Sequence, residues 1–329
     1  TPIPQEPHRV WRDDEDPALL EQALAQGDAI GTEAVLGRLR THLDKYVTVR
    51  LGADAARRVL QALRRHALLN DLVELGQRLL SAGETNHEVR LELAKGLIEA
   101  GLCTQAIDLT RAVRDQLEDE VQALQGAGGY AKEMRAKRLA SVECGQTRMV
   151  EGRAYQALYL QARPSANEAR QADLHAAQAA FQSASQADDA LLAEAKMEQL
   201  LLQSHHQRVV DASQADQTAL RQRVDETLHA FTQSNEPVPT ESLVTVQALA
   251  KRYPAAVDVL RDHLQQAEHV DGYDLIRLRR RLSDLLGLRA DQRPGALLLP
   301  LIHARLATLS GGSVLPQPPE DFEAVWKDT

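Results

Sequence analysis

From Asp16 onward, nearly every stretch of the chain spaces its apolar residues along one face of a helix, and no stretch sustains the alternation of a strand. The stretches are short and clearly punctuated. Asp16 as N-cap and Pro17 at the first helical position open one, and Gly27 closes it. Asp54 opens another, with Val59, Leu60 and Leu63 at helical spacing. Asn70 opens a third, with Leu72, Leu75, Leu79 and Leu80, closed by Gly83. Glu88–Ala100 follows, closed by Gly101, and a further helix runs from Gln105. These segments predict helices of about 13–15 residues joined by turns of about 3–5. Connections that short make neighbours antiparallel, so the building unit is an αα-hairpin.

Composition agrees. Aromatic residues make up 3% of the chain, too few for a sandwich or barrel core. The 43% hydrophobic content is chiefly Ala and Leu, both strong helix formers. That apolar fraction excludes a disordered chain. At 329 residues the chain exceeds one ordinary core, leaving two domains or an elongated array of repeats.

The hairpins recur. A shift of 34 residues superposes Val59, Leu63, Leu72 and Leu79 on Leu93, Leu97, Ala106 and Val113. A helix–turn–helix period of that length is the tetratricopeptide (TPR) period. The best unit is His87–Glu120, with Leu93, Ala94 and Leu97 on its first helix and Ala106 where two helices approach closely. A later unit places Gly152, Arg153, Ala154 and Tyr155 on a first helix and Ala177, Ala180, Phe181 and Ala184 on a second. Gly152 and Ala177 are 25 apart where about 12 is usual, which implies longer helices or an insertion around Gln161–Gln171. The fold class expected is therefore all-α, a right-handed α-solenoid of stacked αα-hairpins. Residues 1–15 read as a flexible tail, 16–234 as an N-terminal TPR-like array, 240–310 as C-terminal hairpins of the same solenoid, and 311–329 as a linker or tail. Asn235-Glu-Pro-Val-Pro239 is the strongest internal break.

Catalytic chemistry finds little footing. Cys103 and Cys144 are the only cysteines and form no CxxC, so a disulfide scaffold or Cys-rich zinc site is excluded. There is no nucleophile elbow, and both thiols read as buried and structural. His205 and His206 are adjacent, so on a helix they point about 100° apart and share a metal poorly. Gly126-Ala-Gly-Gly129 lacks the preceding strand of a phosphate loop and reads as an interhelix loop. Arg277, Arg279, Arg280 and Arg281 spread around a helix, as a solvated face does. No catalytic residue, cofactor or metal is expected. The longest apolar run, near Ala296–Ile302, is far short of the ~20 residues that span a bilayer, and no secretory signal pattern opens the chain. A cytoplasmic protein without membrane association is expected.

Repeat phasing points to a binding face. TPR units expose certain first-helix positions on the concave side of the superhelix. Here those positions are Arg57, Gln61, Arg64 and Arg65, then Leu91, Lys95, Ile98 and Glu99, then Met149, Arg153 and Gln156. The candidate partner-binding residues are Arg57, Gln61, Arg64, Arg65, Lys95, Glu99, Arg153 and Gln156. A basic stripe inside a chain of net charge −9 would steer an acidic protein segment into the groove. The competing reading is that these charges only solubilise the array. Leu91 breaks the Lys/Asn set of carboxylate-clamp TPRs, so capture of a chaperone C-terminus is not expected.

Three stretches also carry a family resemblance: Glu88–Ala112, Met149-Val-Glu-Gly-Arg-Ala-Tyr-Gln156, and Tyr273–Leu286 followed by Leu297–Ile302. In that order the chain resembles the bacterial TPR region that is similar to the TRAF-binding-type TPR domain of MAP kinase kinase kinases. Such regions are found N-terminal to trypsin-like peptidase effectors. The resemblance implies a regulatory protein-interaction module, acting on an effector protease in cis or in trans, in bacterial defence or stress signalling. It places any peptidase domain beyond residue 329. Two alternatives stand beside the scaffold reading. One is the regulatory part of a trypsin-like serine protease. The other is a nucleic-acid-binding helical solenoid, which the acidic total disfavours.

Overall fold

The computed structural model describes residues 10–45, 51–126, 129–162, 167–210, 212–234, 237–266, 270–286 and 297–309. Among these residues the chain is all-helical and has no strand. The helices are α1 (Asp16–Gln26), α2 (Ala29–Lys45), α3 (Ala53–Arg65), α4 (Leu69–Ser81), α5 (His87–Glu99), α6 (Cys103–Gly126) and α7 (Tyr130–Arg138). A π-helical turn, Leu139–Glu143, leads into α8 (Cys144–Gln161). Then come α9 (Asn167–Ala187), α10 (Leu192–Val209), α11 (Gln214–Gln233), α12 (Thr240–Leu249), α13 (Tyr253–Gln266), α14 (Gly272–Leu286) and α15 (Leu298–Leu309). No helix among them is long and apolar enough to cross a membrane.

Helix ends follow local chemistry where the sequence carries a signal. Gly27 and Gly101 end α1 and α5 at φ of 65° and 80°, a left-handed conformation that costs glycine nothing. Two ends carry no such signal. Ala67 and Lys251 take φ of 61° and 59° just past α3 and α12. At the start of α1, Glu15 is the cap and Asp16 lies inside the helix. The Asp16 carboxylate, expected to cap the helix, instead accepts from Arg12 N at 2.7 Å and pairs with Arg38 at 2.6 Å, fully buried. The tail expected over residues 1–15 also contributes structure. Trp11 is buried and donates to Asp13, whose carboxylate accepts from Gly52 N at 2.7 Å.

The chain divides into two compact units. The first comprises residues 1–92 and 251–329, so it takes its elements from both ends of the sequence. Leu20, Leu36, Leu39, Leu60, Leu63, Leu72 and Leu75 fill its interior. Here α1 packs on α2 and α3, α3 on α4, and α14 on α15. An array with only nearest-neighbour contacts would stop there, but α14 also reaches α3. At that meeting a Cβ on Gly272 would lie 2.6 Å from the carbonyl oxygen of Arg65, so only glycine lets the backbones come this close.

The second unit comprises residues 93–250. Its central pair is α8 and α9, the later hairpin read from the sequence. The 25-residue offset is longer helices: α8 has 18 residues and α9 has 21. Met149, Tyr159, Leu174, Phe181 and Leu202 form the core between α8, α9 and α10. A Cβ on Gly152 would sit 2.6 Å from Phe181 Cε1, so the ring occupies the space a side chain would need. The Pro break before α12 is not a boundary between units, because α12 packs on α10 and α11.

Candidate functional site

The candidate partner-binding residues fall in two places. Arg57, Gln61, Arg64 and Arg65 lie on α3 in the first unit. Lys95 and Glu99 lie on α5, and Arg153 and Gln156 on α8, in the second. Helical spacing accounts for the α3 set: Arg57, Gln61 and Arg64 are four and then three residues apart, on one stripe. Arg65 is exposed, Gln61, Lys95 and Glu99 are half-buried, and Gln156 is buried.

Three of the four arginines are already held by carboxylates. Arg57 pairs with Asp54 at 2.6 Å and with Glu88 at 3.2 Å. Arg64 pairs with Glu92 at 2.9 Å and Asp271 at 2.5 Å, and its guanidinium lies 5.7 Å from the centre of the Tyr273 ring. Arg153 is held by Glu194 and, at 2.9 Å, by Glu198. Burial works against the charge of Arg64, but Glu92 and Asp271 more than offset it and its pKa is raised. Asp271 moves the other way from an ordinary salt-bridged acid. Its desolvation outweighs the pull of Arg64, and its pKa is raised. The positive field expected along the stripe is therefore largely cancelled within the protein itself.

These pairs belong to a wider pattern. Arg58 of α3 meets Glu21 of α1 at 2.9 Å. Arg40 of α2 meets Asp71 and Glu74 of α4 at 2.6 and 3.3 Å, and Arg78 of α4 returns to Asp44 of α2. Arg57 and Arg64 carry α3 to Glu88 and Glu92 of α5. In the second unit, Arg114 of α6 meets Glu151 of α8 at 3.0 Å, and Arg153 carries α8 to α10. Each pair is a rung between helices two apart in the chain. The acids were not singled out from the sequence. The only signal available there was Arg–Glu or Arg–Asp recurrence at about one hairpin length, which is faint in a chain with 26% charged residues.

The basic run on α14 also differs from the expected solvated face. Arg277 and Arg281 are buried, and only Arg279 is fully exposed. Arg277 pairs with Asp274 at 3.3 Å and stacks 5.5 Å from the Tyr273 ring centre, opposite in role to a free nucleic-acid contact.

A concave site adjoins the π-turn in the second unit. A cavity of about 340 Å³ is lined by Glu118, Gln122, Ala140, Cys144, Arg148 and Ser183. π-turns often mark functional positions because they widen the helix locally. The chemistry here is limited. Burial, reinforced by Glu118, pushes the Cys144 thiol up, so it stays protonated at neutral pH and is a poor nucleophile. Arg148 is engaged by Glu118 and Glu151. Among the described residues no group of three or more His, Cys, Asp or Glu is placed to hold a metal.

The two adjacent histidines have separate environments. His206 shares a 3.0 Å hydrogen bond with the Tyr159 hydroxyl. His205 is buried, and its pKa is pushed down to about 4, first by desolvation and then by Arg208, against the opposing charge of Glu198. A group with a depressed folded pKa stabilises fully above its unfolded value and loses that contribution as pH falls toward the folded one. From about pH 7.5 to about pH 5 the stability should therefore fall by about 2 kcal/mol from this residue alone. Urea unfolding of the parent and His205→Gln at both pH values checks it. Equal losses in the two proteins would exclude His205 as the source.

No protein-family model matches the chain, and no curated protein matches it by sequence.

Proposed function

We propose that the chain is a cytoplasmic TPR-like recognition module, whose hairpins stack as a solenoid within each unit and present first-helix residues to a protein partner. The observation that carries this reading is the set of arginine–carboxylate rungs. They join α1 to α3, α3 to α5 and α8 to α10, as repeats do when each stacks its first helix on the equivalent one. A second set joins α2 to α4. The exposed edge of the stripe, Arg65 with the outer part of Arg57, remains available to a partner. The effector that such binding would regulate, a peptidase joined in cis or met in trans, rests on the family resemblance alone.

The test is a double charge reversal, Arg57→Glu with Arg65→Glu, in the full chain. Both side chains reach solvent, and exposed ion pairs contribute about 0–1 kcal/mol, so folding should persist. Quantitative pull-downs from the native host should show proteins that the parent enriches and the variant loses by about tenfold. Identical recoveries by a folded variant would overturn the assignment of this face.

A further inference from the structure

The second unit carries one helix whose outer side is both apolar and basic. In α7, Ala136 and the following Leu139 point inward and are buried. On the opposite side Tyr130 is 79% exposed and Met134 is 47% exposed. Lys137 and Arg138 continue that stripe, also exposed. The spacing is i, i+4, i+7 and i+8, so these four side chains share one side of the helix. Within α7 the cations are Lys132, Arg135, Lys137 and Arg138 against one acid, Glu133, giving 4 − 1 = +3 in a chain of net charge −9. Arg135 is spent on Glu120 of α6 at 2.6 Å, which anchors the helix and leaves the outer stripe in place.

A large aromatic and a methionine flanked by cations form a docking surface, because the apolar pair supplies affinity and the charges select the partner. The complement is an acidic segment with apolar residues at helical spacing. This chain contains one. Residues 320–328 read Glu-Asp-Phe-Glu-Ala-Val-Trp-Lys-Asp. Phe322, Val325 and Trp326 stand at i, i+3 and i+4, and Glu320, Asp321, Glu323 and Asp328 against Lys327 give −4 + 1 = −3. Two alternative occupants fit less well. Tyr130 is a lone aromatic where single-stranded nucleic acid needs successive stacking platforms. Two apolar side chains also bury too little to hold a lipid surface.

We propose that the Tyr130–Met134–Lys137–Arg138 stripe docks the acidic segment Glu320–Asp328 of a second copy of the chain. Reciprocal exchange, each copy giving one segment and receiving one, closes a two-fold dimer. The inference is independent of the α3 partner face, since it uses other residues and another partner.

The test uses the full chain, measured by sedimentation over a range of concentrations, and a fluorescent peptide of residues 318–329. The parent should self-associate as concentration rises and should bind the peptide more weakly with added salt. Tyr130→Ala with Met134→Ala, and separately Lys137→Glu with Arg138→Glu, should each weaken peptide binding at least tenfold and shift the chain toward monomer. These side chains are exposed, and an unchanged thermal midpoint verifies that each variant folds. Phe322→Ala with Trp326→Ala should abolish self-association from the other side of the contact. A parent that stays monomeric, or variants that bind the peptide as the parent does, would overturn the proposal. Loss of binding to anionic vesicles or oligothymidylate in these variants, with self-association unchanged, would overturn it in favour of those occupants.

Discussion

Replacing Arg153 by methionine is expected to destabilise the second unit by about 3–5 kcal/mol, the cost of removing one partner of a buried ion pair. Glu198 is 2% exposed, and Arg153 is its cation at 2.9 Å. Glu194, at the more exposed end of the same guanidinium, loses this contact too. Methionine keeps the length and apolar stem of the side chain, so the loss measured is chiefly electrostatic. The double variant Arg153→Met with Glu198→Met should recover most of the stability, because an apolar pair of similar volume replaces a buried ion pair at little cost. Urea unfolding of the two variants beside the parent reads this directly. A single variant as stable as the parent would show that the pair contributes nothing. The result also bears on the binding face. An Arg153 that holds α8 to α10 has its donors committed, so charge reversal there tests folding before it tests recognition. Arg57 and Arg65, nearer solvent, are the cleaner probes.

The second large effect is expected at Gly152. A Cβ there would stand 2.6 and 2.7 Å from two atoms of the Phe181 ring, well inside van der Waals contact. Phe181 is fully buried against Met149, Tyr159 and Leu174, so the ring has no free space to enter. Gly152→Val should therefore cost about 3 kcal/mol, at the upper end for overpacking a core. Pairing it with Phe181→Leu, which withdraws the ring, should restore some of that loss. Thermal unfolding of the single and double variants is the measurement, and an unchanged midpoint for Gly152→Val would mean that α8 and α9 do not approach as closely as described.

Much of the helical framework was legible because its causes are local. Gly27, Gly83 and Gly101 end helices where the sequence says they should, since glycine, lacking a Cβ, takes a positive φ without steric cost. The residues Gly152–Tyr155 and Ala177–Ala184 were read as two helices of one unit, and α8 and α9 do pack together, with Gly152 against the Phe181 ring. Where the local signal is absent the reading fell short. Ala67 turns the chain after α3 without glycine, and Asp16 gives its carboxylate to Arg38 rather than to the helix it was expected to cap.

The binding face was legible only as a pattern of helical positions. Repeat phasing named Arg57, Arg64 and Arg153 as one kind of residue, and all three do sit on first helices of the hairpin reading. Phasing carries no knowledge of what stands opposite. Apart from Asp54, which shares α3 with Arg57, the acids that hold these arginines lie on other helices or beyond them, as far along the chain as Asp271 from Arg64, 207 residues away. Arg277 and Arg281 show the same limit: their sequence spacing suits a solvated face, and packing buries both.

The amino-acid sequence alone determined that this protein is all-helical, with Ala- and Leu-rich helices that pack against their neighbours. Propensity, periodicity and turn chemistry act over a few residues and need no fold to be read. The tertiary structure alone decided which arginines are rungs and which reach solvent. It also decided that segments from both ends of the chain share one compact unit. Both depend on Coulombic and packing contacts made across space, whose strength is set by distance and burial rather than by position along the chain.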